Sequence, residues 1–243
     1  MNVLEKIDYI TNWIKTYTET NGISSLVVGV SGGIDSAVVS TLCAKTGLPT
    51  YAISMPIKTK IPMQAIGASH GDWLLENYNN VFFKIKDLSH VFLAFEDRFE
   101  DMQNDLAFAN TRARLRMTAL YQVSQVHNGI VVGTGNKVED FGVGFYTKYG
   151  DGGVDISPIA DCMKSEVWDM GRELGINQEI IDAAPTDGLW EDDRTDEGQL
   201  GMTYPELEAA MLRTGPLENI DKFKEIQRKN LHKMKPIPIC FMS

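Results

Sequence analysis

The chain has 243 residues, 43% hydrophobic and 23% charged, with a formal charge of -10 at pH 7. That length suits one α/β domain with a sizeable core, not two ordinary domains plus a linker, and the composition excludes disordered and fibrous chains. The negative charge repels polyanions, so neither nucleic acid nor a membrane is expected as a partner; a small anionic ligand held by backbone N–H groups and a few lysines stays open.

Cys43, Cys162 and Cys240 lie far apart and form no C-x-x-C pair, which argues against a disulfide framework or a zinc site. No apolar h-region follows Met1, and no apolar run approaches the roughly 18 residues of a membrane span, so the cytoplasm is the expected compartment.

Val3, Leu4, Ile7, Ile10, Trp13, Ile14 and Tyr17 fall at helical spacing behind Asn2, with Glu5 placed for a capping box and Asn21-Gly22 as a stop. Ser25 to Val30 is a short apolar run ending in glycines, which predicts a central parallel strand, followed by a helix from about Asp35 to Lys45. The rhythm recurs: strand Thr50 to Met55, helix Pro62 to Glu76, strand Asn80 to Ile85, helical stretches from Asp87, a long helix Asp105 to His127, and strand Gly129 to Gly133. Alternation of this kind predicts an α/β fold, a doubly wound parallel sheet with helices on both faces.

Beyond residue 134 the chain turns polar and glycine-rich, with shorter helices expected at Met163 to Leu174, Gln178 to Ala183, Tyr204 to Leu212 and Leu217 to Lys229. Asp187 to Glu197 holds six carboxylates against Arg194, a composition poor at burying itself, so 187–200 is expected to be a mobile acidic loop within a single domain spanning 1–243.

The first strand runs into Ser31-Gly32-Gly33-Ile34-Asp35-Ser36 and then a helix. Ligands of open parallel sheets bind beyond the carboxyl ends of the strands, where a helix N-terminus offers free N–H groups to anions. Glycines let the backbone curl close to a phosphate, the serines can donate hydroxyl hydrogen bonds, and Asp35 is placed to hold magnesium. A tight glycine turn capped by Asp35 is the plain alternative. The ending lacks the G-K-[ST] of a Walker loop, and the segment resembles the S-G-G-x-D-S loop of ATP pyrophosphatases, enzymes that adenylate an acceptor oxygen.

Gly133-Thr134 with Glu139, then Phe145 to Asp155 reading F-x-T-K-Y-G-D-G-G-x-D, then Pro158, Lys164 and Ala184-Pro185-Thr186, resemble NAD synthetase from Gly29 to Lys233. The resemblance implies an adenine nucleotide alpha hydrolase-like fold and a ligase that adenylates the nicotinate carboxylate of deamido-NAD with ATP, after which ammonia displaces AMP. It implies that Gly29, Val30, Ser31, Gly32, Gly33, Ile34, Asp35, Ser36, Thr134, Lys164 and Thr186 contact ATP as co-substrate, and that Asp35 and Glu139 hold Mg2+. It places deamido-NAD on Arg114, Lys148, Asp155, His232 and Lys233, implies a homodimer, and requires no covalent nucleophile. The long helix Asp105 to His127 is a candidate for the subunit contact.

By residue chemistry alone, Glu139 can equally cap a helix, Lys148 and Lys164 can be surface lysines, and His232 a surface histidine. At about 100° per residue Arg114 lies opposite Arg112 and Arg116 on its helix and shares a stripe with Asn110 and Tyr121, which favours a distinct role for it. The interval from Glu139 to Lys148 is one residue longer than in the family pattern, Ser54 stands where some members have arginine, and Ile34 where many have glutamine. The competing readings are a GMP-synthetase-like ATPase and a module that senses ATP without turnover.

Overall fold

The computed structural model describes residues 1–59, 61–186, 188–190 and 194–242. Helix α1 (Val3–Thr20) opens with the expected capping box: the Asn2 side chain accepts from the Glu5 N–H while the Glu5 carboxylate accepts from the Asn2 N–H. Four strands follow, β1 (Ser25–Gly29), β2 (Thr50–Ser54), β3 (Val81–Ile85) and β4 (Gly129–Val132), all parallel in the order β3-β2-β1-β4.

Strand alternation sends Leu26, Val28, Ala52, Ile130 and Val132 to one face, where they pack on α1, α2 (Ile34–Lys45), α3 (Ile61–Asn77) and α6 (Lys164–Glu173). Val27, Ile53 and Val131 point the other way, onto Met117 and Leu120 of α5 (Asp105–Val126). β1 is therefore buried on both faces, which is why it reads as an unbroken apolar run; each such side chain contributes about 1.5–3 kcal/mol. The close seating of α3 on β3 depends on Gly71, since a Cβ there would lie 2.3 Å from the Phe83 ring.

α4 (Ser89–Arg98) joins β3 to α5, with Ile57, Phe92 and Phe108 forming a small cluster beneath it. After β4 the chain returns beside that strand through a bridge from Val132 to Ile156. It then forms α6, α7 (Gln178–Asp182), α8 (Asp196–Leu200), α9 (Tyr204–Met211) and α10 (Leu217–Met234). Helices α8 to α10 enclose an apolar cluster of their own around Leu207, Phe223 and Val143.

Three elements differ from the sequence reading; α10 runs past the expected Lys229 to Met234 and takes in His232 and Lys233. Glu139–Val143 forms a π-helical turn in which the Val143 N–H donates to the Val138 carbonyl at 3.0 Å. A π-helical turn holds one more residue per turn than an α-helical one. Residues 196–200 of the expected acidic loop form α8, capped by the Thr195 side chain accepting from the Gly198 N–H, while Asp187 and residues 191–193 lie outside the described residues. Among the described residues no helix is long and apolar enough to cross a membrane.

His70 of α3 is buried against α2, its Nε2 2.9 Å from Ser40 Oγ, and burial lowers its pKa from 6.5 to about 4. A depressed folded-state pKa contributes stability above the unfolded value of 6.5 that is lost as pH falls toward 4. By about pH 5 the loss is expected to be on the order of 2 kcal/mol. Urea midpoints of the wild type and His70→Phe should therefore converge on acidification; parallel declines would remove His70 as the cause.

Candidate active site

The order in which strands are added reverses at β1: β2 and β3 extend the sheet on one side and β4 lies on the other. In an open parallel sheet this switch point leaves a crevice past the strand ends. A cavity of about 290 Å³ occupies it. Gly29 to Ser36, Thr134, Lys164 and Thr186 all line the cavity, so the whole nucleotide set expected from the sequence is brought together.

Gly32 takes φ +93°, a conformation that excludes side chains with a Cβ. α2 begins at Gly33 with no side-chain cap, leaving its first N–H groups free to meet an anion. The serine hydroxyls bond within the loop. Ser36 Oγ donates to the Gly33 carbonyl at 2.9 Å and accepts from the Ser31 N–H at 3.2 Å, and the Gly33 N–H donates to Ser31 Oγ at 3.2 Å. They tie the loop into shape, and the backbone forms the cradle.

Across the cavity Lys164, 1% exposed at the start of α6, donates to Asp35 Oδ2 at 2.5 Å and Glu139 Oε1 at 2.8 Å. The default reading of Lys164 as a surface lysine is thus excluded; the two carboxylates hold its pKa above the ordinary lysine value despite burial. Asn136, fully buried, links the pair: its Nδ2 donates to Asp35 Oδ1 at 3.1 Å and its Oδ1 accepts from the Val138 and Glu139 N–H groups, each at 3.0 Å.

Burial, opposed by Lys164 and reinforced by Glu139, raises the Asp35 pKa; for Glu139 burial is outweighed by Lys164, Tyr204 and Asn136, and its pKa is lowered. Asp140 is pushed well above the usual carboxylate range by burial, then by Asp151, Glu139 and Asp35. Three carboxylates thus crowd one ammonium. Among the described residues no group of three or more histidines, cysteines or carboxylates is gathered around one metal position.

None of Arg114, Lys148, Asp155, His232 and Lys233 lines the cavity. Four of them meet instead along the segment 146–155. Arg114 Nε donates to the Lys148 carbonyl at 3.3 Å, Tyr121 donates its hydroxyl to Asp155 Oδ1 at 3.0 Å, and Lys233 Nζ donates to the Tyr146 carbonyl at 2.7 Å. Thr147 Oγ1 donates to Asn110 Oδ1 at 2.5 Å, so the stripe Asn110, Arg114, Tyr121 holds this segment along α5. His232 sits exposed in the last turn of α10.

Sequence reasoning missed Arg116, which lines the cavity and donates to the Met55 carbonyl at 3.0 Å, and passed over Asn136 and Tyr204. Asn136 carried a signal, three residues before Glu139 inside the recognised run; Tyr204 lies 65 positions beyond Glu139, and only folding joins them.

Fold and cavity together define a nucleotide-binding α/β enzyme whose phosphate cradle faces a lysine–carboxylate cluster. The family model described as NAD synthase matches residues 6–238. An NH(3)-dependent NAD(+) synthetase of Carboxydothermus hydrogenoformans is 39% identical, covering 98% of this chain and 97% of its own. An NMN synthetase structure from Francisella tularensis superposes with a TM-score of 0.91 at 30% identity over 99% of both chains. An NH3-dependent NAD synthetase from Campylobacter jejuni superposes with a TM-score of 0.81 at 26% identity, covering 99% of this chain and 100% of its own. The chain belongs to the NAD synthase family and is a carbon–nitrogen ligase.

Proposed function

We infer that the cavity between β1 and β4 is where this enzyme carries out the ATP-dependent amidation of deamido-NAD to NAD. The observation that carries the assignment is Lys164, buried between Asp35 and Glu139 and facing the uncapped start of α2. In the first step the nicotinate carboxylate oxygen bonds to the α-phosphorus and the bond to the β-phosphate oxygen breaks, releasing pyrophosphate. Ammonia then attacks the acyl carbon, the C–O bond breaks, AMP departs with that electron pair, and the nitrogen sheds its excess proton.

Two anions must approach in the first step, so the chain's contribution is positioning and charge. The N–H groups of Gly32 and of Ile34 to Ser36 hold the phosphates, and Lys164 offsets charge near the α-phosphoryl group. Asp35 and Glu139 would hold magnesium, which when bound neutralises charge on the phosphates. No covalent enzyme nucleophile is required: Cys43 and Cys162 are buried, with burial pushing both thiols up, Cys162 to about 11.

Arg114, Lys148, Asp155, His232 and Lys233 lie outside the cavity, which supports a site completed by a second copy of the chain in a homodimer. Family membership and three free thiols support a cytoplasmic location. The match to an NMN synthetase, with its higher TM-score, favours a second reading in which the smaller nicotinate mononucleotide is also amidated.

A panel tests these readings. The purified chain with ATP, magnesium and ammonium is expected to release pyrophosphate with deamido-NAD and to be inert with XMP. Glutamine in ammonia-free buffer should give no product. Turnover with XMP alone would overturn the substrate assignment, and comparison of kcat/KM for nicotinate mononucleotide and deamido-NAD decides the second reading.

A further inference from the structure

Tyr204, at the first position of α9, is 1% exposed, with its ring edge-on to Trp168 at 5.6 Å and 4.9 Å from Lys164 Nζ. Its backbone is fixed from two sides. Thr203 caps α9 in a capping box with Glu206, and the Tyr204 N–H donates to Glu197 Oε1 of α8 at 2.8 Å. The rest of the surrounding cluster is apolar, Leu200, Leu207, Ile220 and Phe223 among it, so a phenylalanine would satisfy the packing.

What the hydroxyl adds is a hydrogen bond to Glu139 Oε1, the oxygen that Lys164 also holds, with Asp196 Oδ2 3.4 Å away. A buried hydroxyl is costly unless bonded, and this one is aimed at a carboxylate of the nucleotide cavity from a helix outside the sheet.

We propose that Tyr204 is a positioning residue for adenylation: its hydroxyl fixes the Glu139 carboxylate and thereby the place of the Lys164 ammonium beside the phosphates. Without that donor, Glu139 Oε1 keeps, among the described residues, only the Lys164 hydrogen bond, the carboxylate can turn, and the ammonium, still tied to Asp35, loses its second fixed partner. Substrate binding is little affected, because the phosphates rest on the backbone of Gly32 to Ser36. The proposal rests on the assignment of Glu139 and Lys164 to the ATP site.

The test is Tyr204→Phe, with pyrophosphate release measured over ranges of ATP and deamido-NAD and with the melting temperature recorded. One charge-assisted hydrogen bond lost from the reacting arrangement should lower kcat about tenfold to a hundredfold, with both KM values within about threefold of wild type. In a Glu139→Ala background, followed by long incubations with labelled ATP, the same change should cost less than about twofold, since the acceptor through which it acts is gone.

A kcat within about twofold of wild type overturns the proposal, as does an ATP KM that rises in step with the loss, or an equal cost in both backgrounds. If Tyr204→Phe does not fold, 4-fluorophenylalanine at position 204 fills the hydroxyl's place without a donor; a kcat within about twofold of wild type there overturns it as well. Full turnover by Glu139→Gln and Lys164→Ala would instead remove the site assignment, whereas their inactivity beside a fully active Tyr204→Phe removes only the role of the tyrosine.

Discussion

Asp35→Ala and Glu139→Ala are each expected to lower pyrophosphate release by at least about a hundredfold while leaving the fold intact, because charge placed around the reacting phosphates is worth that much in a closed site. Stability should move little. Asp35, Glu139 and Asp140 already repel one another around one ammonium, and Lys164 keeps a partner in either variant. Circular dichroism and turnover measured on the same preparations check this, and a folded variant with near-normal turnover would sink the assignment.

The same Asp35→Ala variant probes the dimer. Lys148 lies away from the cavity that Asp35 lines, and if a second copy supplies it, Lys148→Ala should also be nearly inactive. Random exchange of the two variants makes about half of the dimers mixed, each with one doubly damaged and one intact site. Co-expression should then restore about a quarter of wild-type sites, whereas a site built within one subunit gains nothing. No recovery in tag-purified mixed dimers would place Lys148 in the same subunit's site.

Lys164→Ala is expected to abolish turnover and also to destabilise, unlike the carboxylate variants. Removing one member of a buried ion pair leaves uncompensated charge and costs about 3–5 kcal/mol. The sign with pH follows from the carboxylates that remain: without the ammonium, burial and mutual repulsion raise their folded-state pKa values above the unfolded ones. Stability is then kept below the unfolded carboxylate pKa and lost as pH rises through the raised values. Urea midpoints should separate wild type from Lys164→Ala far more near pH 8 than near pH 4; an equal gap at both would show that the loss is one of packing. Lys164→Met, which retains a stem between the Trp168 and Tyr204 rings, should recover part of the stability and none of the turnover.

Local pattern was enough for much of this molecule. The capping box at Asn2 and Glu5, the four parallel strands, the glycine turn at Gly32 and the nucleotide set lining one cavity were all readable in the chain, because each depends on neighbours within a few positions or on a contiguous motif. The long helix read from Asp105 to His127 ends one residue earlier, at Val126, and its stripe from Asn110 to Tyr121 does serve a purpose distinct from Arg112 and Arg116.

Tertiary structure decided what the side chains of that set do. By residue chemistry alone Lys164 could be a surface lysine; it is buried because α6 packs on α2 and brings it between carboxylates of α2 and of the turn Glu139–Val143. The serines of the cradle bond within the loop because the chain closes on itself there, and the run after Glu139 forms a π-helical turn. Tyr204 could not be found from spacing at all. A hydrogen bond between elements 65 positions apart leaves no periodic trace, and only the packing of α9 against Trp168 of α6 sets its hydroxyl on Glu139.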